Sequence, residues 1–335
     1  MNPIHRRSAL SKSLAFGIAS TWIWGLLPKS ASAQSLPETA RILVGYPPGG
    51  GIDLIARRIA EQLAGKLARS VIVDNRPGAA GRIAVDIAKQ SPPDGLTLLL
   101  NPAGVLTINP HTYKKSNYDP FKDFTPISLA AWIDFGFAVG PAVPASVANI
   151  ADFIVWARAN PGKVTYGSPA AGAPPHFVGD LLSRQFNLQM THVPYRGGAP
   201  AMTDLIGGQI SAVVLTLGDL IQPAKAGKIR VLASSGPARS PFAADVPTFG
   251  EQKVSGLDMR DWFGLFVAGS ASPEVAAKTI ALVRPVLSSS QYAQSLAVLG
   301  IEAASSTPQE VDRMVRADYA RWGEIVKASG FVADV

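Results

Sequence analysis

Residues 41–57 read RILVGYPPGGGIDLIAR, and this stretch decides the architecture. Arg41 to Tyr46 is a short apolar run of buried-strand type, while Leu54, Ile55, Ile59, Leu63 and Leu67 recur at helical spacing over Asp53 to Leu67. The segment therefore predicts a strand, a tight turn and a helix. Two prolines and three consecutive glycines fill the turn. Such a turn exposes the unpaired N–H groups and partial positive charge of a helix N-terminus, which favour an anion. Asp53 is itself an anion at that helix start; on composition it complements the helix dipole. The glycine spacing is not G-x-G-x-x-G and no Lys-Ser or Lys-Thr follows, which argues against dinucleotide and nucleoside triphosphate binding.

Working outward, the same alternation recurs. Ser70 to Asp74 and Leu96 to Leu100 read as strands, with a helix at Ala80 to Gln90 between them. Further along, Phe135 to Val139, Val164 to Gly167, Met190 to Val193, Ser211 to Leu215 and Arg230 to Ala233 read as strands. Helices are expected at Val147 to Ala159, Pro174 to Phe186, Ala199 to Ile206 and near Leu220 to Ala226. After a strand at Gly264 to Val267 the tail is helical over Pro273 to Leu287, Gln291 to Leu299 and Pro308 to Lys327. This is an α/β pattern, expected to give mostly parallel sheets with helices on both faces. Two such units predict two lobes with a cleft between them. Ligands of these sheets bind beyond the carboxyl ends of the strands.

The first 33 residues stand apart. Arg6-Arg7 precedes an uncharged run from Leu14 to Leu27, and Ala31-Ser32-Ala33 offers a cleavage site, so residues 1–33 read as an export signal removed after Ala33. The run is shorter than the roughly 20 residues of a spanning helix. The arginine pair is compatible with both the twin-arginine and the general secretory route. Arg6, Arg7, Lys12 and Lys29 supply four of the 31 basic residues; the remaining 27 face 24 acidic residues, a formal charge of +3. With no basic run longer than two, nucleic acid is not an expected partner. There is no cysteine, hence no disulfide and no thiolate chemistry.

Four strand-to-helix loops occupy the binding position: Tyr46 to Asp53, Asn101 to Gly104 (NPAG), Ser168 to His176 (SPAAGAPPH) and Thr216 to Asp219 (TLGD). Together they predict a pocket lined by backbone donors and suited to a carboxylate without an arginine clamp. Beyond the leader only His111, His176 and His192 occur, in no metal-ligand spacing, and no G-x-S-x-G is present. A trio of Ser168, His176 and Asp219 can be drawn, but nothing in the pattern recommends it. No catalytic residue, metal or cofactor is expected.

These loops, with VIVDNRPGAAG, NPHTYKKSNYDPFKDFTPISL, HVPYRGGAPAMTDLIGGQI, DVPTFGE and ARWGEIVKASG in this order, resemble the substrate-binding proteins of tripartite tricarboxylate transporters, the Bug family, from about Pro37 to Gly330. The resemblance implies a two-lobed periplasmic binding protein (Venus flytrap) of type II topology, with a first lobe of residues 35–134 plus 259–335 and a second of 135–258. The crossings are expected near Trp132 to Phe135 and Asp258 to Phe263. It implies no enzyme but a periplasmic receptor, expected to be monomeric, that holds a small carboxylate and delivers it to a two-component membrane permease. A sensing receptor that signals to a membrane kinase is the alternative. Carried over residue by residue, the ligand contacts are Tyr46, Gly50, Asp53, Asn101, Gly104, Ser168, Gly172, His176 and Thr216, with Asp53 orienting water or a polar group.

The chain departs from the family pattern at three places. Ile52 stands where threonine is common, Ala173 followed by Pro174-Pro175 replaces a hydroxyl, and Leu215-Thr216 stands where relatives often carry an acid. These changes predict a preference for an aromatic or aliphatic carboxylate, and argue against an amine-bearing ligand.

Overall fold

The structure is a computed structural model that describes residues 36–333; the expected leader lies outside the described residues. Strands β1 (Thr39–Val44), β2 (Ser70–Asn75), β3 (Thr97–Pro102) and β4 (Phe124–Ile133) come first. The chain then crosses at Asp134 into β5 (Phe135–Val139), β6 (Val164–Ser168), β7 (Met190–Pro194), β8 (Ala212–Thr216) and β9 (Arg230–Ser234) before returning to β10 (Asp261–Ala268) and the short β11 (Glu302–Ala303). These form a six-stranded sheet of order β11-β4-β10-β3-β1-β2 and a five-stranded sheet of order β7-β6-β8-β5-β9. The two sheets are the cores of the two lobes.

The sheets are mixed rather than mostly parallel. β1 pairs in parallel with β2 and β3, and β6 with β7 and β8, as strand–helix–strand alternation requires. β10 runs antiparallel to β3 and β4, and β5 antiparallel to β8 and β9. The reason is geometric. β5 follows directly on the cleft end of β4 and β10 on the chain leaving β9, so each enters its sheet from the cleft and must run away from it. The apolar pattern of a strand carries no record of that direction.

The helices are α1 (Gly51–Leu63), α2 (Arg82–Lys89), α3 (Ala103–Thr107), α4 (Asn109–Thr112), α5 (Ile150–Ala159), α6 (Pro174–Gln185), α7 (Gly198–Ile206), α8 (Leu217–Lys225), α9 (Pro273–Leu287), α10 (Ser290–Ala297) and α11 (Pro308–Ser329). In α1 Ile55, Ile59 and Leu63 are buried as their spacing predicts, joined by Ile52, while Leu54 is half-buried and Leu67 lies beyond the helix end. α11 opens on a capping box of Thr307 and Glu310 with Pro308 at its first position and ends on Gly330 in the left-handed region. β4 was not legible as a strand: Pro126 interrupts its pattern, and the sheet accommodates it where the pairing with β10 shifts register between Leu265 and Phe266.

Both crossings meet in one cluster. Asp134 at the first crossing pairs with Arg260 at the second (3.3 Å), and Arg260 also pairs with Glu302 and lies 5.0 Å from the centre of the Trp132 ring. Burial pushes the Asp134 carboxyl above its ordinary pKa in spite of Arg260. Trp132 is thus covered by a guanidinium at the hinge.

Candidate functional site

The β1–α1 turn is held from inside by Asp53. Its Oδ2 accepts from the Gly49 N–H (2.9 Å) and Arg57 Nε (2.9 Å), and its Oδ1 from Arg57 Nη2 (3.0 Å) and Asn75 Nδ2 (2.9 Å). Asp53 is 1% exposed. Burial alone would raise its pKa, but the bonds from Arg57, Gly49 and Asn75 outweigh it and hold the carboxyl below the ordinary value. The carboxylate is therefore engaged by the protein. It fixes Gly49, whose φ is +88°, and leaves the start of α1 pointing outward.

Outward lies a cavity of about 340 Å³ between the two sheets. The first lobe contributes Tyr46 to Ile52, Pro102, Asp261 and Phe263; the second contributes Phe135, Pro169, Ala173 to Pro175, Arg196 to Met202 without Ala201, Leu215, Thr216 and Asp219. Ile52, Ala173, Pro174, Pro175 and Leu215, the apolar departures noted in the sequence, all line it.

No helix that starts at this cavity carries a side-chain cap. α5, α9, α10 and α11 carry side-chain caps from Asn149, Ser272, Ser289 and Thr307. α1, α6 and α7, which start in the cavity wall, and α8, whose preceding Thr216 lines it, have none; α2, α3 and α4 have none either. A helix normally satisfies its first N–H groups with such a cap, worth about 1 kcal/mol. The starts of α1 and α7 offer the most donors, because Pro174 and Pro175 have no N–H, the His176 N–H bonds the Ala173 carbonyl (2.9 Å) and the Leu217 N–H bonds the Asp134 carbonyl (2.8 Å).

The charges of the site are three. Arg196, in the β7–α7 turn, is the single basic residue of the lining. Asp261, buried at the start of β10, is pushed up to about 7 by burial, reinforced by Asp318 and opposed by the Trp262 N–H and Arg321. Asp219 in the first turn of α8 is exposed, its side chain opening onto the cavity between the lobes; the surrounding protein, by displacing water from the carboxyl, pushes it up to about 6. Its carboxylate lies between the starts of α1 and α7. A β-carbon at Gly51 would stand 3.9 Å from its Oδ1 and one at Gly198 3.5 Å from its Oδ2. The acid that the sequence reading missed at Leu215-Thr216 is thus present three residues further on. Tyr46 stands near Asp261; burial first, then that acid, raises its hydroxyl pKa.

Of the residues expected to touch ligand, Tyr46, Gly50 and Thr216 line the cavity. Asp53 does not. Asn101 belongs to β3, not to a loop; it is fully buried, and neither amide atom has a hydrogen-bond partner among the described residues. Gly104 lies in α3, where a β-carbon would meet Pro174 of the other lobe at 3.1 Å. Ser168, Gly172 and His176 sit behind the wall. The Ser168 hydroxyl donates to the Ala170 carbonyl (3.0 Å), so His192 Nε2 (2.7 Å) donates to it; the Gly172 N–H donates to His176 Nδ1 (3.1 Å); the two imidazoles stack at 4.0 Å. Burial, then His176, pushes His192 down to about 3. This neutral cluster stiffens the SPAAGAPPH loop. Arg196 and Asp261 escaped the sequence reading. The Tyr195 to Gly198 turn shows the strand–glycine–helix grammar that marked the other loops, whereas Asp261 opens an antiparallel strand and carries no such signal.

The model of the tripartite tricarboxylate transporter family receptor matches residues 55–331. Among solved structures, the periplasmic binding protein BugD superposes with a TM-score of 0.82 at 26% identity, covering 89% of this chain and 99% of its own. Rpa4515 of R. palustris, solved with adipate, gives 0.82 at 30% identity over 88% of this chain and 98% of its own. MatC of Rhodopseudomonas palustris, with bound malate, gives 0.79 at 25% identity over 86% and 99%.

Proposed function

The chain belongs to the tripartite tricarboxylate transporter receptors, the Bug family of solute-binding proteins rather than enzymes, and from that premise we propose that it captures a small organic carboxylate in the cavity between its lobes and delivers it to a two-component membrane permease. The observation that carries the reading is convergence: the starts of α1, α6, α7 and α8, none with a side-chain cap, meet at one cavity whose lining holds Arg196. Each hydrogen bond to a charged ligand contributes roughly 1.5–3 kcal/mol. Three or four of them support micromolar binding, about −8 kcal/mol, after the costs of association. Two relatives solved with dicarboxylates support the same chemistry.

Residues 1–33 act in this reading as the signal that exports the chain to the periplasm, where it works as a monomer. The first lobe is residues 35–134 with 259–335 and the second 135–258, a division supported by the sheet membership of β4, β5, β9 and β10. Tyr46, Gly50, Thr216 and Arg196 contact the ligand, and the buried amide of Asn101 is available to a water or ligand atom. The apolar residues Ile52, Ala173 and Leu215 favour an aliphatic or aromatic body on the acid.

A thermal-shift panel of mono-, di- and tricarboxylates, aromatic acids, amino acids and neutral amides tests the class. At a hundred times Kd a ligand stabilises the folded state by about 2.7 kcal/mol, a shift of a few degrees. Shifts confined to acids are expected. Shifts with amides or sugars and none with acids overturn the reading.

A further inference from the structure

A second cavity of about 590 Å³ opens beside the first. The two share Tyr46, Pro47, Pro169, Arg196 and Gly197, so the Tyr46 ring and Arg196 stand at the seam. The rest of its wall is Gly45, Pro77 to Gly81, Tyr113, Ala170, Ala171 and Tyr195, and Arg196 is its one charged residue. Rings, methyls and glycines make this a largely apolar space, continuous with the cavity that holds Asp219 and Asp261.

The shape of this wall is held against local preference. Gly78, Ala79, Ala80 and Gly81 all have positive φ, at 132°, 46°, 52° and 88°. Two are alanines, for which the left-handed region is disfavoured, and strain of this kind gathers at ligand sites. The surroundings enforce it. Asn109 Nδ2 donates to the Ala80 carbonyl at 3.1 Å, and the β1 and β2 loops touch backbone to backbone, so that a β-carbon on Gly45 would lie 2.6 Å from the Gly81 Cα. Pro77 to Gly81, the end of the VIVDNRPGAAG segment and without a role in the carboxylate reading, form this wall.

We propose that the second cavity is a tail subsite for the same ligand. The carboxylate is held at the helix starts of the first cavity, and an apolar body of medium-chain aliphatic or aryl-alkyl type passes Tyr46 and Arg196 to lie against Pro77 to Gly81, Tyr113 and Ala171. The inference rests on the carboxylate reading and narrows it to acids with a long apolar body.

The test is calorimetric titration of the chain from Gln34 onward, which contains the whole compact unit Leu36–Val335, with straight-chain monocarboxylates from butanoate to decanoate and with ω-phenylalkanoates. Affinity is expected to rise by up to about fourfold per methylene once the tail passes the seam. Ala171→Phe places a ring in the second cavity without altering a residue that lines the first. It is expected to weaken the long acids at least tenfold and to leave butanoate within twofold. Ala170→Phe is the second blocking variant should Ala171→Phe not fold. A flat length series with short acids binding, or a length dependence unchanged in a folded blocking variant, overturns the tail subsite alone. Failure of every acid while neutral amides bind overturns the carboxylate reading and the subsite with it.

Discussion

Asp53→Asn separates a loop-holding acid from a ligand-binding one. The substitution keeps the shape of the side chain but removes its charge and turns one acceptor oxygen into a donor facing Arg57 or Asn75, whose bonds to Asp53 measure 2.9–3.0 Å. One or two donors then lose their partner in a site where Asp53 is 1% exposed. Each buried donor left unpaired costs about 1–3 kcal/mol. Arg57 is half-exposed and recovers water, as does the Gly49 N–H, so the net loss is roughly 2–3 kcal/mol. For a chain of this size that lowers Tm by roughly 4–8 °C, read by differential scanning fluorimetry or circular dichroism. The folded-state pKa of Asp53 is depressed, so its stabilisation is present above the ordinary value of 3.8 and is lost as pH falls below it. The gap between wild type and variant is therefore flat from pH 8 to 5 and closes in acid below about 3.8. A variant with wild-type Tm and abolished ligand binding refutes the loop-holding role.

Two further perturbations probe the charges. Asp219, raised to about 6, gains a proton as pH falls and becomes a donor to a bound carboxylate, so wild-type affinity is expected to rise several-fold from pH 8 to 6. Asp219→Asn binds at pH 8 at least as well as wild type and shows a shallower pH slope, the remainder coming from Asp261; affinity that instead rises with pH points to an ammonium-bearing ligand. Arg260→Ala strips Asp134 of its cation and Trp132 of its cover at the hinge, and costs about 2–3 kcal/mol in urea denaturation, less than a fully buried pair because Arg260 is partly exposed. A loss under about 0.5 kcal/mol, the range of ordinary surface substitutions, removes the hinge cluster from the account.

Much of the fold was legible because apolar periodicity is local. β1, α1, β3 and β6 are continuous buried runs or amphipathic stripes, and they lie within a residue or a few of where the pattern puts them. Strand direction was not, since the antiparallel entry of β5 and β10 follows from where the chain crosses between lobes. The candidate site was legible as a set of loops but not as a set of side chains. Asp53 looked like a group facing the ligand until packing brought Asn75, 22 residues away, to join Arg57 one turn along the same helix. Asp219 stood in the sequence as the last residue of the TLGD loop; its place between Gly51 and Gly198 depends on two lobes coming together. Ser168 and His176 matched a loop motif, yet their partners are each other's neighbours behind the wall. Capping was legible at the residue level, for Asn149, Ser272, Ser289 and Thr307 are all good caps, and what it meant emerged only when the uncapped ends met at one cavity.

The central claim is that the uncapped helix starts and Arg196 bind a carboxylate. Isothermal titration of the wild type and Arg196→Gln with an acid that shifts the melting transition, and with its primary amide, tests it most directly. One-to-one binding of the acid, at least tenfold weaker binding of the amide, and a loss of acid affinity in Arg196→Gln are predicted. Equal binding of acid and amide, or an acid affinity indifferent to Arg196, contradicts it.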